Sequence, residues 1–164
     1  MSNLFHNIEI LEKIDEKHGL DEFVHSESPR NVINFFLTGE YKLHYMGVSL
    51  VCEYLKNVGV SCAKPDVHVM RFLSKTRCGF LSKPETRINN HGEIVDTNWT
   101  TQDKLQALEI IEDMSCKFGK SEVDIDRIIW SFCADRQGEI CTRTPKCIIC
   151  PIREGCNYLV NNRS

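Results

Sequence analysis

Four cysteines near the end of this 164-residue chain have the spacing needed to hold an inorganic centre. Cys141, Cys147, Cys150 and Cys156 follow the pattern C-x5-C-x2-C-x5-C. Thiolates are ligands for soft metals, so the run predicts either zinc or an iron–sulfur cluster. Zinc sites usually combine two separated C-x2-C pairs, whereas this run has one pair flanked by two longer arms. The spacing therefore favours a [4Fe–4S] cluster, with zinc, a disulfide or free thiols as the alternatives.

The composition is that of a globular protein, with 41% hydrophobic and 26% charged residues. The length fits one domain or two small lobes. Nine cysteines occur without an apolar leader or a membrane-length apolar segment. Clustered cysteines in such a chain indicate a reducing cytosol and metal binding, so we expect a cytoplasmic protein that does not contact membranes. The five scattered thiols are expected to be core or incidental residues: Cys52, Cys62, Cys78, Cys116 and Cys133.

Charge is unevenly distributed although the net charge is only −3. Residues 64–87 hold six Lys or Arg against Asp66 and Glu85, and residues 103–126 hold seven acids against three lysines. Such runs are either ordinary solvated faces or, for the basic run, a local surface that contacts phosphates.

The apolar periodicity predicts an all-α protein. Helices are expected at about 4–18, from Pro29 to Gly39, at 47–58, from Asp66 to about Ser74, from Thr100 or Thr101 to Gly119, and at 121–135. Residues 76–100 lack a helical period and predict a long loop, with room for a short hairpin around Asn90-His91-Gly92. We expect a helical region at 1–135 and a cysteine loop with its tail at 136–164.

A second motif precedes the charged runs. Residues 43–59 read LHYMGVSLVCEYLKNVG, similar to a helix-hairpin-helix turn whose backbone N–H groups point at a phosphate. Met46-Gly47-Val48 supplies the second glycine of that turn, and Tyr45 stands where the first glycine usually is.

The cysteine loop resembles the iron–sulfur loop of the endonuclease III and adenine DNA glycosylase families, in the helix-hairpin-helix DNA glycosylase superfamily. Asp126, Trp130 and Gly138 before the loop, and Pro145-Lys146 and Cys150-Pro151 within it, contribute to the likeness. The family uses C-x6-C in the first arm, one residue more than this chain. Asp66-x-His68-x-x-Arg71 resembles the family's D-x-H-x-x-R stretch, and hairpin, acid and loop follow in family order.

The resemblance implies a helical glycosylase fold with a [4Fe–4S] cluster on the four loop cysteines, bound to double-stranded DNA in base excision repair. It makes Asp66 the catalytic carboxylate, which stabilises positive charge on the sugar and orients the attacking water. The alternative is that Asp66 only caps its helix. DNA contacts implied by the resemblance are Met46, Gly47, Val48, Arg71, Arg143, Lys146 and Arg153; for the loop cations the alternative is solubilising charge.

Ser49 occupies the position of the lysine that bifunctional family members carry, two residues after the second hairpin glycine. A serine cannot form the Schiff base that leads to strand cleavage. The resemblance therefore implies a monofunctional hydrolase without lyase activity.

The segment before the hairpin is shorter than in most family members, since only 42 residues precede Leu43. The base pocket is then expected to be incomplete, rebuilt by the 76–100 loop, or completed by a protein partner or a second copy. Two other functions stay open. One is a non-enzymatic iron–sulfur or zinc module that binds DNA or senses lesions, and the other is a zinc-stapled helical interaction protein. A bacterial protein of this kind would be nucleoid-associated.

Overall fold

The computed structural model describes residues 2–158 and is mostly helical, as the periodicity predicts. The chain divides into two compact units, Met1–Lys64 and Pro65–Ser164. The division therefore falls at 64/65 and not at the expected 135/136. The reason is that the cysteine loop is bonded into the second unit: Ile140 N–H donates to the Phe132 carbonyl, and Asn157 N–H to the Arg77 carbonyl.

The first unit contains four helices, α1 (Ser2–His18), α2 (Leu20–Ser26), α3 (Pro29–Leu37) and α4 (Val48–Asn57), with a 3-10 turn at Gly39–Tyr41. The short helix α2 was not predicted. Gly19, at φ 71, separates it from α1. Ser28 caps α3 by accepting from Asn31 N–H, and Pro29 takes the first helical position as expected. The core consists of apolar side chains from all four helices: Ile14, Val24, Val32, Ile33, Phe36, Val51 and Leu55.

The second unit contains α5 (Val67–Leu73), a hairpin of β1 (Thr86–Ile88) and β2 (Ile94–Asp96), α6 (Thr101–Phe118) and α7 (Glu122–Cys133). The strands are antiparallel, with Arg87 opposite Val95, which confirms the predicted hairpin. The predicted starts of three helices are also confirmed, because Asp66, Thr100 and Ser121 each accept hydrogen bonds from first-turn N–H groups.

Helices α5 and α6 both pack against α7 in the second unit. Their buried faces supply its core, which contains Val69, Met70, Leu73, Ala107, Ile111, Ile129 and Cys133. The cysteine loop leaves the end of α7 and includes two 3-10 turns, Cys147–Ile149 and Arg153–Gly155. Among the described residues, no helix is both long and apolar enough to cross a bilayer.

Candidate metal centre and phosphate-binding hairpin

The four loop cysteines are all free thiols, with Cys141 and Cys156 buried and Cys147 and Cys150 half-buried. The first 3-10 turn is closed by Cys150 N–H donating to the Cys147 carbonyl at 3.3 Å. Within residues 2–158, no three His, Cys, Asp or Glu side chains converge as they would on one metal ion. A set of four thiol donors suits both an iron–sulfur cluster and zinc, so the identity of the metal stays a prediction.

Two further thiols, to which the sequence pattern assigns no role, lie against the loop. Cys133, at the end of α7, hydrogen-bonds Cys141. That hydrogen bond, helped by the positive charges of Arg77 and Arg71, lowers the pKa of Cys141 to about 7 despite its burial. The same hydrogen bond and burial raise the pKa of Cys133. Cys141 is therefore the thiolate of this pair, the form that binds metals.

Cys78 is the second of these thiols. Burial, together with the nearby sulfurs of Cys156, Cys141 and Cys150, raises its pKa to about 12. It stays a neutral thiol next to the loop. Neither Cys78 nor Cys133 belongs to the spacing pattern of the four loop cysteines. The sequence alone therefore did not predict that these two thiols lie beside the loop.

Arg77 is fully buried, at 0% exposure, between the 74–85 segment and the cysteine loop. Its Nε and Nη2 donate to Glu85 Oε1 at 3.1 and 2.6 Å. Nη2 also donates to the carbonyls of Thr142 and Arg143 at 3.2 and 3.5 Å. Burial lowers the pKa of Arg77, but the hydrogen bonds and charge of Glu85 outweigh it, so the net direction is upward. The sequence reading of this arginine as surface charge is wrong.

Arg71 is also buried, and its Nε lies 3.6 Å from Glu85 Oε2. Its guanidinium thus packs against the same carboxylate as Arg77. The other predicted DNA contacts are at least partly exposed or act through the backbone, whereas this side chain is enclosed. Its exposed fraction faces a cavity beside α5, and its predicted contact with DNA stays a prediction.

Asp66 is the N-cap of α5 and is half-buried. Its Oδ1 accepts from His68 N–H at 2.8 Å and from Val69 N–H at 3.2 Å. Among the described residues, Oδ2 receives no hydrogen bond. His68 lies edge-on to Trp130, with ring centroids 6.4 Å apart, and its buried Nδ1 has no hydrogen-bond partner in the part of the chain that is described. His68 therefore packs against α7 and does not act on Asp66.

A small cavity of about 220 Å³ opens beside the start of α5. Val67, which follows Asp66, forms one wall, and the half-buried ring of Trp99 forms another. Arg71, Glu85 and Arg143 also line it. Residues of the predicted 76–100 loop, including the β hairpin, thus line a cavity that Val67 also lines, whereas the carboxylate of Asp66 is not part of its lining.

The hairpin at 43–48 lies in the first unit. Asn7 of α1 fixes its start by donating to the His44 carbonyl at 3.0 Å and accepting from His44 N–H at 2.7 Å. Tyr45 has the left-handed backbone conformation, at φ 59, with its side chain 84% exposed. Gly47 is extended, at φ −87, and an added Cβ there would meet nothing within 4 Å.

The predicted hairpin contacts thus differ in what they can offer a phosphate. Val48 buries its side chain in the core, so only its backbone N–H is available, as the motif requires. Met46 is half-buried, and Gly47 presents bare backbone. Ser49 lies in the first turn of α4, half-buried, and has no amine.

The three predicted cations of the cysteine loop have partners within the chain. Arg143 forms an ion pair with Asp96, and Lys146 Nζ lies 2.9 Å from Glu139 Oε2. Arg153 Nη1 donates to the Ile148 carbonyl at 3.2 Å. Exposed pairs of this kind contribute about 0–1 kcal/mol, so a phosphate can replace the acid at little cost.

Comparisons with protein-family models, with curated proteins and with solved structures gave no match for this chain. The functional argument therefore depends on its own residues. In the second unit, Glu85 joins Arg71 of α5 to Arg77, and Arg77 joins Glu85 to the cysteine loop. The hairpin at 43–48 belongs to the first unit.

Proposed function

We propose that this protein is a monofunctional DNA glycosylase that flips a damaged or mispaired base and hydrolyses its N-glycosidic bond. The observation that carries the proposal is the backbone of the hairpin. Tyr45 adopts the left-handed conformation at the position where the motif has its first glycine. A residue with a Cβ costs about 1–2 kcal/mol in that conformation, so the chain retains the turn against its local preference.

Gly47 supports the same role. Its φ of −87 is open to any residue, and no neighbour within 4 Å would block a side chain. Packing inside the protein does not require a glycine there, and the one internal preference for it is that glycine is favoured over alanine at the N-cap of α4. A requirement from outside is the close approach of a phosphate to the N–H groups at the start of α4, which a side chain would obstruct.

Asp66 is the proposed catalytic residue. Two backbone N–H groups hold Oδ1, which fixes the carboxylate while Oδ2 is free to face the sugar. Cleavage of the glycosidic bond builds positive charge on the sugar, and a fixed anion stabilises that charge. The same carboxylate orients the attacking water and accepts its proton. Ser49 offers no amine for a Schiff base, so the product is an abasic site.

The proposed metal centre is structural. Cys141, Cys147, Cys150 and Cys156 would hold a [4Fe–4S] cluster, or zinc as the alternative, with every ligand position filled by protein. A bound centre supplies rigidity to the loop. Arg143, Lys146 and Arg153 then contact backbone phosphates, which position the duplex without reading its sequence.

The decisive experiment is excision on a panel of duplexes that carry uracil, alkylated purines, oxidised bases or mismatches, followed by alkali to cleave abasic sites. We expect excision of at least one class. Asp66→Asn should slow it on the order of 10²–10³-fold, the range for removal of one electrostatic group. Asparagine caps helices as well as aspartate does, so α5 stays formed. Glu112→Gln, on the exposed face of α6, is the matched loss of one negative charge and should leave the rate unchanged.

Two outcomes would contradict the proposal. DNA binding without excision of any substrate would reject the glycosylase. Borohydride trapping of a covalent protein–DNA adduct would reject the monofunctional assignment, because it requires an amine nucleophile.

The alternative function is a non-enzymatic module that binds DNA or senses lesions. One observation favours it: capping α5 is by itself a sufficient role for Asp66. The module keeps the hairpin and the metal centre but needs no free carboxylate oxygen. In the same panel, it predicts equal DNA affinity for the wild type and Asp66→Asn, with no abasic product from either.

A further inference from the structure

Arg77 contacts the chain at both ends of the four-cysteine run. On one side its Nη2 donates to the carbonyls of Thr142 and Arg143, the two residues after Cys141. On the other side its own carbonyl accepts from Asn157 N–H at 2.8 Å, directly after Cys156. The ring of Tyr158 also covers the guanidinium, with 4.2 Å from Cζ to the ring centroid. The side chain of Arg77 therefore holds the entrance of the loop, and its backbone carbonyl together with the guanidinium–Tyr158 contact holds the exit.

Arg77 and Arg71 share one acidic partner, Glu85. Arg77 Nη1 is buried and has no hydrogen-bond partner among the described residues. A buried donor of a charged group that lacks an acceptor is destabilising, so an anion is expected nearby. Arg77 lies close enough to Cys141 for their charges to interact, and a centre with four thiolates is anionic with either metal.

We propose that Arg77 is a positioning residue of the four-cysteine centre, which clamps both ends of the loop and balances the charge of the thiolates. The inference rests on the metal centre of the proposed function and does not depend on glycosylase activity. The inference also predicts different results for Arg77 and Glu85, because a nearby positive charge stabilises an anionic centre and a nearby negative charge destabilises it. A purely structural role would make both partners of the ion pair equally necessary.

The test measures metal retention in the full-length protein purified without oxygen. Iron, sulfide and zinc per chain are determined, and metal loss is followed in excess EDTA. Arg77→Met should lose metal about 10–100-fold faster than the wild type, the range for removal of an outer-shell partner. Arg77→Lys keeps the charge but not the forked donors, so its rate of metal loss should lie between those of the wild type and Arg77→Met.

Two variants serve as controls for charge and location. Glu85→Gln keeps an acceptor for Arg77 and removes the competing negative charge, so this variant, with its native fold verified by circular dichroism, should lose metal no faster than the wild type. Arg127→Met removes an exposed cation of α7 and should match the wild type. If the centre is an iron–sulfur cluster, Arg77→Met should also lower its reduction potential, because the loss of a positive charge disfavours the added electron.

Three results would overturn the inference: an Arg77→Met protein that retains metal as the wild type does, a Glu85→Gln protein that loses it as fast as Arg77→Met, or a wild-type chain without metal. If Arg77→Met does not fold, the comparison of Arg77→Lys with Glu85→Gln decides, since equal losses reject the charge role. Asp66→Asn should retain full metal. A failed excision panel and a failed Arg77 test are therefore separate outcomes.

Discussion

The hairpin at 43–48 and the loop at 141–156 are held in place by different kinds of interaction. The hairpin depends on backbone geometry. Tyr45 has a left-handed backbone conformation, Gly47 has free space around its Cα, and the Asn7 side chain donates to the His44 carbonyl and accepts from His44 N–H. The loop depends on buried side chains, above all Arg77 and the thiols of Cys133 and Cys141. The hairpin can therefore change residue type while it keeps its shape, whereas the loop is sensitive to the chemistry of individual side chains.

The largest effect should come from removing a predicted metal ligand. Cys156→Ser should abolish metal binding and make residues 141–156 sensitive to proteolysis, because metal binding and local folding are coupled. Metal analysis and limited proteolysis measure the two effects. Cys116→Ser is the control, since Cys116 is exposed on α6 and outside the loop. Full metal content in Cys156→Ser would show that the loop does not hold the metal through this residue.

Alanine substitutions at Gly79, beside the end of the cysteine loop, and at Gly47, in the hairpin, compare how the stability of the two regions depends on a glycine. Gly79 has φ +76, and an added Cβ would lie 2.6 Å from Asn157 Nδ2, which donates to the Lys75 carbonyl. Gly79→Ala should lower the free energy of unfolding by roughly 2 kcal/mol through backbone strain and a disturbed hydrogen bond. Gly47→Ala should change stability little, because the loss of a preferred N-cap residue, roughly 0.5–1 kcal/mol, offsets the gain of about 0.4–1 kcal/mol from the lower entropy of the unfolded chain.

The two substitutions should affect DNA affinity in the opposite order, with the larger loss in Gly47→Ala. Gly47→Ala places a methyl group where the phosphate approaches, so binding to a duplex should weaken although the fold is intact. Gly79→Ala should bind normally at temperatures where it is folded. Urea unfolding and fluorescence anisotropy measure the two quantities. Equal affinity of Gly47→Ala and the wild type would argue against phosphate binding at this turn.

Tyr45 gives a smaller effect within the hairpin. Tyr45→Gly removes left-handed strain of about 1–2 kcal/mol but adds chain entropy to the unfolded state, worth roughly 0.5–1 kcal/mol. We expect a net gain in stability of up to about 1 kcal/mol. Tyr45→Val should instead destabilise the first unit, because a β-branched residue is disfavoured at positive φ. Thermal unfolding followed by circular dichroism tests the order Gly, Tyr, Val, and any other order would reject the strain.

The smallest effect is expected at Lys146. Lys146→Gln removes one exposed cation, so it should weaken duplex binding evenly across sequences and reduce the slope of log K against log salt by about 0.9. Glu139→Gln frees Lys146 from its partner and should strengthen binding. Arg127→Gln, an exposed change on α7, is the control. Identical salt slopes for Lys146→Gln and the wild type would exclude a phosphate contact by this residue.

The local parts of this structure were predictable from the sequence. Asp66, Thr100 and Ser121 begin helices because each side chain bonds N–H groups two or three residues ahead. The turn around Asn90-His91-Gly92 follows from residues that accept tight backbone angles. Each of these features is encoded within a few neighbouring residues.

The parts that depend on distant contacts were not predictable. A pattern of basic residues does not reveal that Glu85 pairs with both Arg71 and Arg77, so Arg71 was predicted to contact DNA and Arg77 was counted as surface charge. Helix α2 has only seven residues, too few to establish a period. The division at 64/65 and the approach of Cys78 and Cys133 to the loop arise from packing between segments far apart in sequence.

The ion pairs of Arg143 with Asp96 and of Lys146 with Glu139 have a consequence for how the protein would search a genome. With a net charge of −3 and its loop cations neutralised, the protein exerts little long-range attraction on DNA. Capture would follow collision, and each encounter with undamaged duplex would be brief. Such a search covers many sites by repeated dissociation and rebinding, and it leaves recognition to the short-range fit of the hairpin and the cavity.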